Sequence, residues 1–466
     1  MKSIILSSNC SGGGKTTIAV GLMRALMKSG FNVQGYKVGP DYIDPAFHSI
    51  ITKKSSRNLD LFLMGENGVK TAYLNGNGDV GVIEGVMGLY DGKGVDSQYS
   101  TAHIAKVLEL PVVLILSPKA QSATLGAELQ GLLSYCDNYV ENVNISGVIL
   151  NNISPSYYEL LKLVIESRTK LKVYGYIPND KRLALESRNL GLVQAEEVAD
   201  IDEKIELCSN YILENVDMKM LLQDFREANI GCIDTVNKPI LRNRNLKIAV
   251  AKDIAFNFYY KENLELLSSI GEVIYFSPLK DKSLPEDIDF LYIGGGYPEV
   301  FIKELSENNS MLKSIKESLE SGLPCYAECG GLMYLTEGIM PLNENRVYKT
   351  VGFFKGYSTL TKNLQNFGYA EILIDKENPL IEKGCSIRCH EFHRSKVTLE
   401  EEPIYKVSKK NYKNETKEWQ CGYRKKNTLA GYGHIHFFNN IDFLIQLIDV
   451  ANNIKLDRKN SLEKKL

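Results

Sequence analysis

Through the first half of the chain, short β-branched apolar runs alternate with stretches whose apolar positions recur at helical spacing. Runs over residues 3–7, 32–38, 80–84, 111–116, 146–150 and 172–176 predict strands, and residues 15–29 and 123–133 predict helices. Strand and helix in alternation imply a parallel sheet with helices on both faces, a three-layer, doubly wound α/β domain. The pattern breaks over residues 234–245, a polar, basic, proline-containing stretch reading DTVNKPILRNRN, and a fresh strand opens over 247–251. A second strand–helix series follows through 273–275, 290–293 and 323–327, with a strand-rich end near 350–356 and 420–432. We therefore place a linker at 234–245 between two α/β domains, residues 1–238 and 246–455. The charged end from Leu456 reads as frayed.

Length supports this division, since 466 residues exceed one ordinary core. Net charge is −2, so nothing global draws the chain to nucleic acid or to an anionic membrane. No apolar run approaches the roughly 20 residues that span a bilayer. The apolar N-terminal stretch is ended by Ser7, Ser8 and Asn9, and reads as a first strand rather than a signal peptide. Nine cysteines, an odd number spread over a long chain, point to a reducing cytoplasm rather than a disulfide framework. The spacings Cys325/Cys329 and Cys385/Cys389 are wider than the usual structural-zinc pair, so we read these thiols as buried or incidental, one of them catalytic.

Candidate chemistry begins at Asn9-Cys10-Ser11-Gly12-Gly13-Gly14-Lys15-Thr16-Thr17, between a predicted strand and a predicted helix. Backbone N–H groups and a helix N-terminus in that setting cradle phosphate, with Lys15 reaching the β/γ-phosphates and Thr16 on Mg²⁺. The strict pattern wants glycine where Asn9 stands, so this is a variant P-loop. Mg²⁺ also needs a carboxylate. Two acidic loops offer one: VGPDYIDP with Asp41 and Asp44 after the second strand, and EGVMGLYDG with Glu84 and Asp91 after the 80–84 strand. Ligands of a doubly wound sheet gather at the carboxyl ends of its strands, so both loops are expected beside the P-loop.

In the second half, LPCYAECGGL runs from a strand through a tight turn into a helix. Cys329 on that elbow is the candidate nucleophile, its thiol pKa expected to be lowered by the helix N-terminus, while Cys325 reads as a core thiol. Upstream, GGGYPE offers backbone N–H groups of Gly295 and Gly296 as an oxyanion hole for a tetrahedral intermediate at an amide carbon. The base should be a histidine. His434 and His436, in GYGHIHFF, share a face if that segment is a strand, one serving as base while the other packs or orients.

Taken together, SGGGKTT, KVGPDYIDPAFH, EGVMGLYDG, IAVAKDIAFNFYYKENLELL, GGGYPE, YAECGGLMYL and CHEFHRS resemble the cobyrinic acid a,c-diamide synthase family over essentially the whole chain. The resemblance implies an N-terminal P-loop domain similar to dethiobiotin synthetase and a C-terminal class I glutamine amidotransferase-like domain. It implies amidation of the a- and c-carboxylates of a cobyrinate-type tetrapyrrole with ATP, Mg²⁺ and glutamine. By position, Ser11, Gly12, Gly13, Gly14, Lys15, Thr16 and Thr17 would hold ATP phosphates. Thr16, Asp44 and Glu84 would hold metal, and Asp41, Tyr42 and Asp91 substrate. Cys329 would be the glutaminase nucleophile, with His434 its base and His436 the fallback. The chain departs from the family pattern at Arg188–Leu192, where RNLGL replaces RHLGL, at Cys389 before His390, and at Arg394.

The mechanism this implies has two parts. Cys329 releases ammonia from glutamine through an acyl-enzyme, and ATP phosphorylates a substrate carboxylate that ammonia then attacks. Three other readings stay open on sequence alone. Cobyric acid synthase shares the domain order, and a nickel-sirohydrochlorin a,c-diamide synthase is closer still. A P-loop switch ATPase with a non-catalytic amidotransferase-like domain belongs to a different class. Oligomeric state is also open, a homodimer being the candidate assembly.

Overall fold

The computed structural model describes residues 1–183, 201–231 and 243–463. The chain divides into two compact units, Met1–Val236 and Asn237–Leu466. Most of the 234–245 stretch, and Arg188–Leu192 entirely, lie outside the described residues.

Unit one is built on β1 (Lys2–Ser8), β2 (Val33–Val38), β3 (Arg57–Leu59), β4 (Val80–Glu84), β5 (Val112–Leu116), β6 (Ile145–Ile153) and β7 (Lys172–Pro178). Their order is β3-β2-β4-β1-β5-β6-β7, with every neighbouring pair parallel. A two-residue β8 (Arg226–Glu227) adds antiparallel to the start of β1. The sequence VVLIL of β5 is buried at every position, as a strand covered on both faces must be. Strand order reverses around β1, with β2–β4 to one side and β5–β7 to the other, and this is where a doubly wound sheet opens its crevice. The helix Lys15–Lys28 follows β1, and its apolar residues Ile18, Leu22 and Leu26 join Ile4, Leu6, Val113 and Ile205 in one core.

Unit two opens with β9 (Leu246–Ala251), β10 (Phe256–Phe258), β11 (Gly271–Phe276), β12 (Phe290–Ile293), β13 (Gly295–Gly296) and β14 (Cys325–Glu328). It continues with β15 (Gly338–Met340), β16 (Tyr348–Lys349), β17 (Gly356–Ile374), β18 (Ser386–Leu399), β19 (Pro403–Lys410), β20 (Thr416–Lys425), β21 (Thr428–Gly431) and β22 (His434–Ile435). The series β11-β9-β12-β14-β21 is parallel. Beyond β21 the sheet turns antiparallel through β20, β19 and β17, a hairpin-rich arm that periodicity indicated only as a strand-rich end.

Two expectations need correction. Residues 350–355 are not a strand. The N–H groups of Val351, Gly352 and Phe353 donate instead to Tyr334, Thr336 and Leu335, satisfying carbonyls at the end of the helix Gly330–Leu335. Nor is the end from Leu456 frayed up to Glu463. The helix Ile441–Glu463 is held there by Lys455 and Arg458, which both pair with Asp289 at 2.9 and 3.0 Å. Among the described residues no helix is long and apolar enough to cross a membrane.

Candidate functional site

Chemistry-bearing residues gather in each unit separately. In unit one, β1 hands the chain to a loop whose Gly12 (φ 76°) and Gly14 (φ 87°) occupy the left-handed region. A Cβ on Gly13 would lie 2.3 Å from Ser8 Oγ, and one on Gly14 would lie 2.2 Å from Asn151 Nδ2. Asn151, on β6, donates to Gly13 O (3.1 Å) and to Ser117 Oγ (3.1 Å), and Ser117 in turn donates to Gly13 O (3.0 Å). The loop is thus shaped by side chains at the carboxyl ends of two neighbouring strands. Ser11 and Gly12 are exposed at its tip. Lys15 Nζ reaches across it to Cys10 O (2.9 Å) and Met87 O (2.6 Å), tying the P-loop to the EGVMG loop. Burial, then the charge of Lys37, lowers the Lys15 pKa.

Beneath that loop, Thr16 donates to Glu84 Oε1 at 2.6 Å. Lys37 Nζ lies 3.0 Å from the same oxygen and 2.5 Å from Asp44 Oδ2. The other Glu84 oxygen bonds His48 Nε2 at 2.8 Å, and His48 Nδ1 meets Ser56 Oγ at 3.1 Å. One buried ammonium therefore bridges two carboxylates. Burial alone would raise Glu84, but Lys37, His48 and Thr16 outweigh it and hold the group well below the carboxylate range. Asp44 is driven the other way, by burial and by the Glu84 charge, against Lys37. Lys37 is held above its ordinary range: burial pulls it down, and Asp44 and Glu84 overcome that.

Thr16, Asp44 and Glu84, expected apart in sequence, are thus brought together beside Lys15. Asp41 and Asp91 have local tasks. Asp41 Oδ1 accepts from the N–H groups of Ile43 (2.8 Å) and Asp44 (3.2 Å), opening the helix Ile43–Thr52, and Asp91 Oδ2 accepts from Gly88 N (2.8 Å). Tyr42 is half-buried at the same helix start, and Thr17 is half-buried with its carbonyl accepting from Cys208 Sγ at 3.3 Å. Sequence reasoning assigned no role to Lys37, His48, Ser117 or Asn151. The first two lie inside the KVGPDYIDPAFH motif, and that was the signal available.

In unit two, Cys329 stands between β14 and the helix Gly330–Leu335 with φ 47°, a strained conformation for a residue with a side chain. Its N–H donates to Gly431 O at 2.8 Å. A Cβ on Gly330 would come within 3.2 Å of both Gly296 N and O, so the β13 backbone passes directly against the elbow. A Cβ on Gly295 would lie 2.3 Å from His434 Cε1. The glycine strand therefore has the elbow and the His434 ring both as neighbours, through Gly296 and Gly295 respectively. Gly294 N is already committed to Tyr259 Oη at 2.8 Å.

The thiol expectation is overturned. Burial, with the Glu299 charge adding to it, drives Cys329 well above its ordinary pKa, and the Gly330 N–H opposes only in part. A six-residue helix is too weak a dipole to win against a site only 5% exposed. His434 is held down at about 3 by burial and by His390 and His393. The resting pair is a neutral thiol and a neutral imidazole, and an imidazole in that form accepts a proton. His436 points elsewhere: its ring packs on Tyr260 (4.9 Å) and Phe438 (5.2 Å), with Nε2 3.6 Å from Glu262. The CHEFHRS motif lies on β18, where His390 pairs with His434 and His393 stacks 3.7 Å over Tyr432. Cys389, one of the departures, packs against Gly433, where a Cβ would sit 3.0 Å from its Sγ. Arg394, another, bonds Lys362 O at 3.1 Å.

Two family models match the chain. Residues 4–193 match the CobQ/CobB/MinD/ParA nucleotide binding domain, and residues 247–441 match the CobB/CobQ-like glutamine amidotransferase domain. The chain is 61% identical over 449 residues to a cobyrinate a,c-diamide synthase of Clostridium tetani, covering 96% of this chain and 100% of that protein. It is 59% identical to one of Clostridium acetobutylicum, covering 96% and 100%. To one of Caldanaerobacter subterraneus it is 44% identical, covering 93% and 95%.

Proposed function

The chain belongs to the cobyrinate a,c-diamide synthase family, and from that premise we propose that it converts the a- and c-carboxylates of cobyrinate to amides with ATP and glutamine-derived ammonia. In unit two, Cys329 Sγ attacks the side-chain amide carbon of glutamine while its proton passes to His434. Backbone N–H groups of Gly295 and Gly296 face the oxyanion. The tetrahedral intermediate collapses with His434 returning the proton to the departing nitrogen, which leaves as ammonia. Water then hydrolyses the thioester to glutamate. His436, enclosed by Glu262, Tyr260 and Phe438, supports the packing of that strand end.

In unit one, the γ-phosphoryl group of ATP moves to a substrate carboxylate oxygen, giving an acyl phosphate. Ammonia attacks its carbonyl carbon and phosphate leaves. The activation is needed because a free carboxylate is a poor electrophile. Lys15 exchanges the carbonyls of Cys10 and Met87 for phosphate oxygens, and the loop N–H groups of Ser11 to Thr17 enclose the rest. Thr16 Oγ1 and Glu84 Oε1, 2.6 Å apart, are hard oxygen donors of the kind Mg²⁺ takes, with Asp44 nearby through Lys37. The ion, when bound, neutralises charge on the transferring phosphoryl group. Asp41, Tyr42 and Asp91 line the loops that would meet the tetrapyrrole.

The observation that carries this reading is the strained Cys329 elbow, packed against the glycine strand that also touches His434. Replacing Cys329 with Ala should abolish glutamine-dependent amidation and spare amidation driven by ammonium salts, followed by mass spectrometry of the tetrapyrrole. Loss of both activities in a folded variant would refute the assignment.

A further inference from the structure

Glu328 precedes the nucleophile directly and is buried at the carboxyl end of β14. Its Oε1 accepts from Tyr326 Oη (2.9 Å) and from the N–H of Ile435 (3.1 Å). Its Oε2 accepts from Tyr292 Oη (3.0 Å) and stands 3.9 Å from His434 Nδ1. Glu328 is covalently joined to Cys329, and Ile435 to His434. The Ile435-to-Glu328 bond therefore sets the spacing between nucleophile and base through two peptide links. A buried carboxylate that needs three donors to survive desolvation is a costly way to join strands, since an apolar side chain would pack there without them.

We propose that Glu328 is the positioning residue of glutamine hydrolysis, its Oε2 orienting His434 through Nδ1 so that Nε2 is left to take the Cys329 proton. This rests on His434 being the base. The 3.9 Å separation is too long for a hydrogen bond in the free enzyme. Such contacts tighten when charge develops, and a carboxylate facing Nδ1 neutralises the imidazolium formed as sulfur attacks. When His434 returns that proton to the leaving nitrogen, the Nδ1 contact relaxes and Glu328 keeps its charge, so no net proton is gained or lost at Glu328.

The neighbourhood decides the pH dependence. His390 and His393 on β18 face His434 and disfavour its cation, Glu391 bonds His393 Nε2 at 3.1 Å, and Glu299 faces Cys329. Burial pushes the Glu328 carboxyl up to about 7, against its backbone and tyrosine donors. Below that pH it is protonated and cannot serve the imidazolium, so hydrolysis should fall as pH drops through about 7.

Glutamine hydrolysis by the full chain, measured as kcat against pH, tests this. Glu328→Gln should lower kcat on the order of 10²–10⁴-fold and remove the limb near 7, with partial rescue in Glu328→Asp. The limb should persist in Glu299→Gln. A folded Glu328→Gln with unchanged kcat and an unchanged limb overturns the proposal, as does a limb that vanishes with Glu299 instead. A role confined to packing would lower the melting temperature and leave the profile alone. If the Gln variant does not fold, ¹⁵N spectra of the wild-type histidines decide: a proton on His434 Nδ1 supports the proposal, and one on Nε2 overturns it. Retained hydrolysis in His434→Ala would sink the base assignment itself. An inactive His434→Ala beside an unaffected Glu328→Gln would sink only the positioning role.

Discussion

Glu299 shows how one side chain sets the terms for the Cys329 thiol. Its Oε2 is shut off from solvent with no hydrogen-bond partner among the described residues, and burial pushes its carboxyl up to about 7. Its charge is the strongest influence on the Cys329 thiol after burial. Between about 4.3 and about 7 the folded chain keeps a proton here that the unfolded chain has released. Stability should therefore fall as pH rises through that window, by at most about 1.4 kcal/mol per unit, and level off above it. Glu299→Gln removes the titration, so thermal denaturation should show the variant gaining on wild type between pH 5 and pH 8. Its Cys329 should also react faster with iodoacetamide at pH 8, the opposing charge being gone. Parallel melting curves and equal alkylation rates would count against this account.

At the scale of elements, periodicity found β1, β4, β5, β6 and β7 from the short apolar runs that covered parallel strands leave, and it found β2 although Gln34 and Lys37 interrupt VQGYKV. It did not resolve β17, whose nineteen residues are mostly exposed or half-buried and carry no sustained alternation. The glycine loops and the Cys329 elbow were legible because their residue types have few other uses. Lys37, His48, Asn151 and Glu328 were not, since a polar residue ending or lining a strand looks solvated until topology brings partners to it. Glycine gives the sharpest test of element packing. Gly295 pairs with Phe258 across β13 and β10, which fixes its backbone, and an added Cβ would meet His434 Cε1 at 2.3 Å. Gly295→Ala must move the imidazole by a sizeable fraction of an ångström, and a misplacement of 1 Å costs about 10²-fold in rate. Glutaminase assays should show that loss while ammonium-driven amidation continues. Wild-type glutaminase in this variant would mean that the ring and the glycine strand do not act together.

Among the described residues, one hydrophobic core groups Ile4, Ile18 and Ile205 and another groups Ile248, Leu291 and Ile435, and each lies in a unit with its own candidate chemistry. In the proposed function, nitrogen release draws on Cys329 and His434, and carboxylate activation draws on Lys15, Thr16 and Glu84. If those tasks are as separate chemically as they are in the chain, a lesion in unit one should not imitate a lesion in unit two. Lys15 is the discriminating position, because its ammonium already spans the P-loop and the EGVMG loop through Cys10 O and Met87 O. Lys15→Met removes the charge that meets the phosphates while keeping an unbranched apolar stem in the same channel. Amidation should then fall by several orders of magnitude whether glutamine or ammonium is supplied, since no acyl phosphate forms. Glutamine hydrolysis, read as glutamate released, should survive at a measurable rate. The pattern is the reverse of that expected for Gly295→Ala. A Lys15→Met chain that still amidates with ammonium would show that the glycine loop does not serve the activating nucleotide, and the proposed division of labour would fail with it.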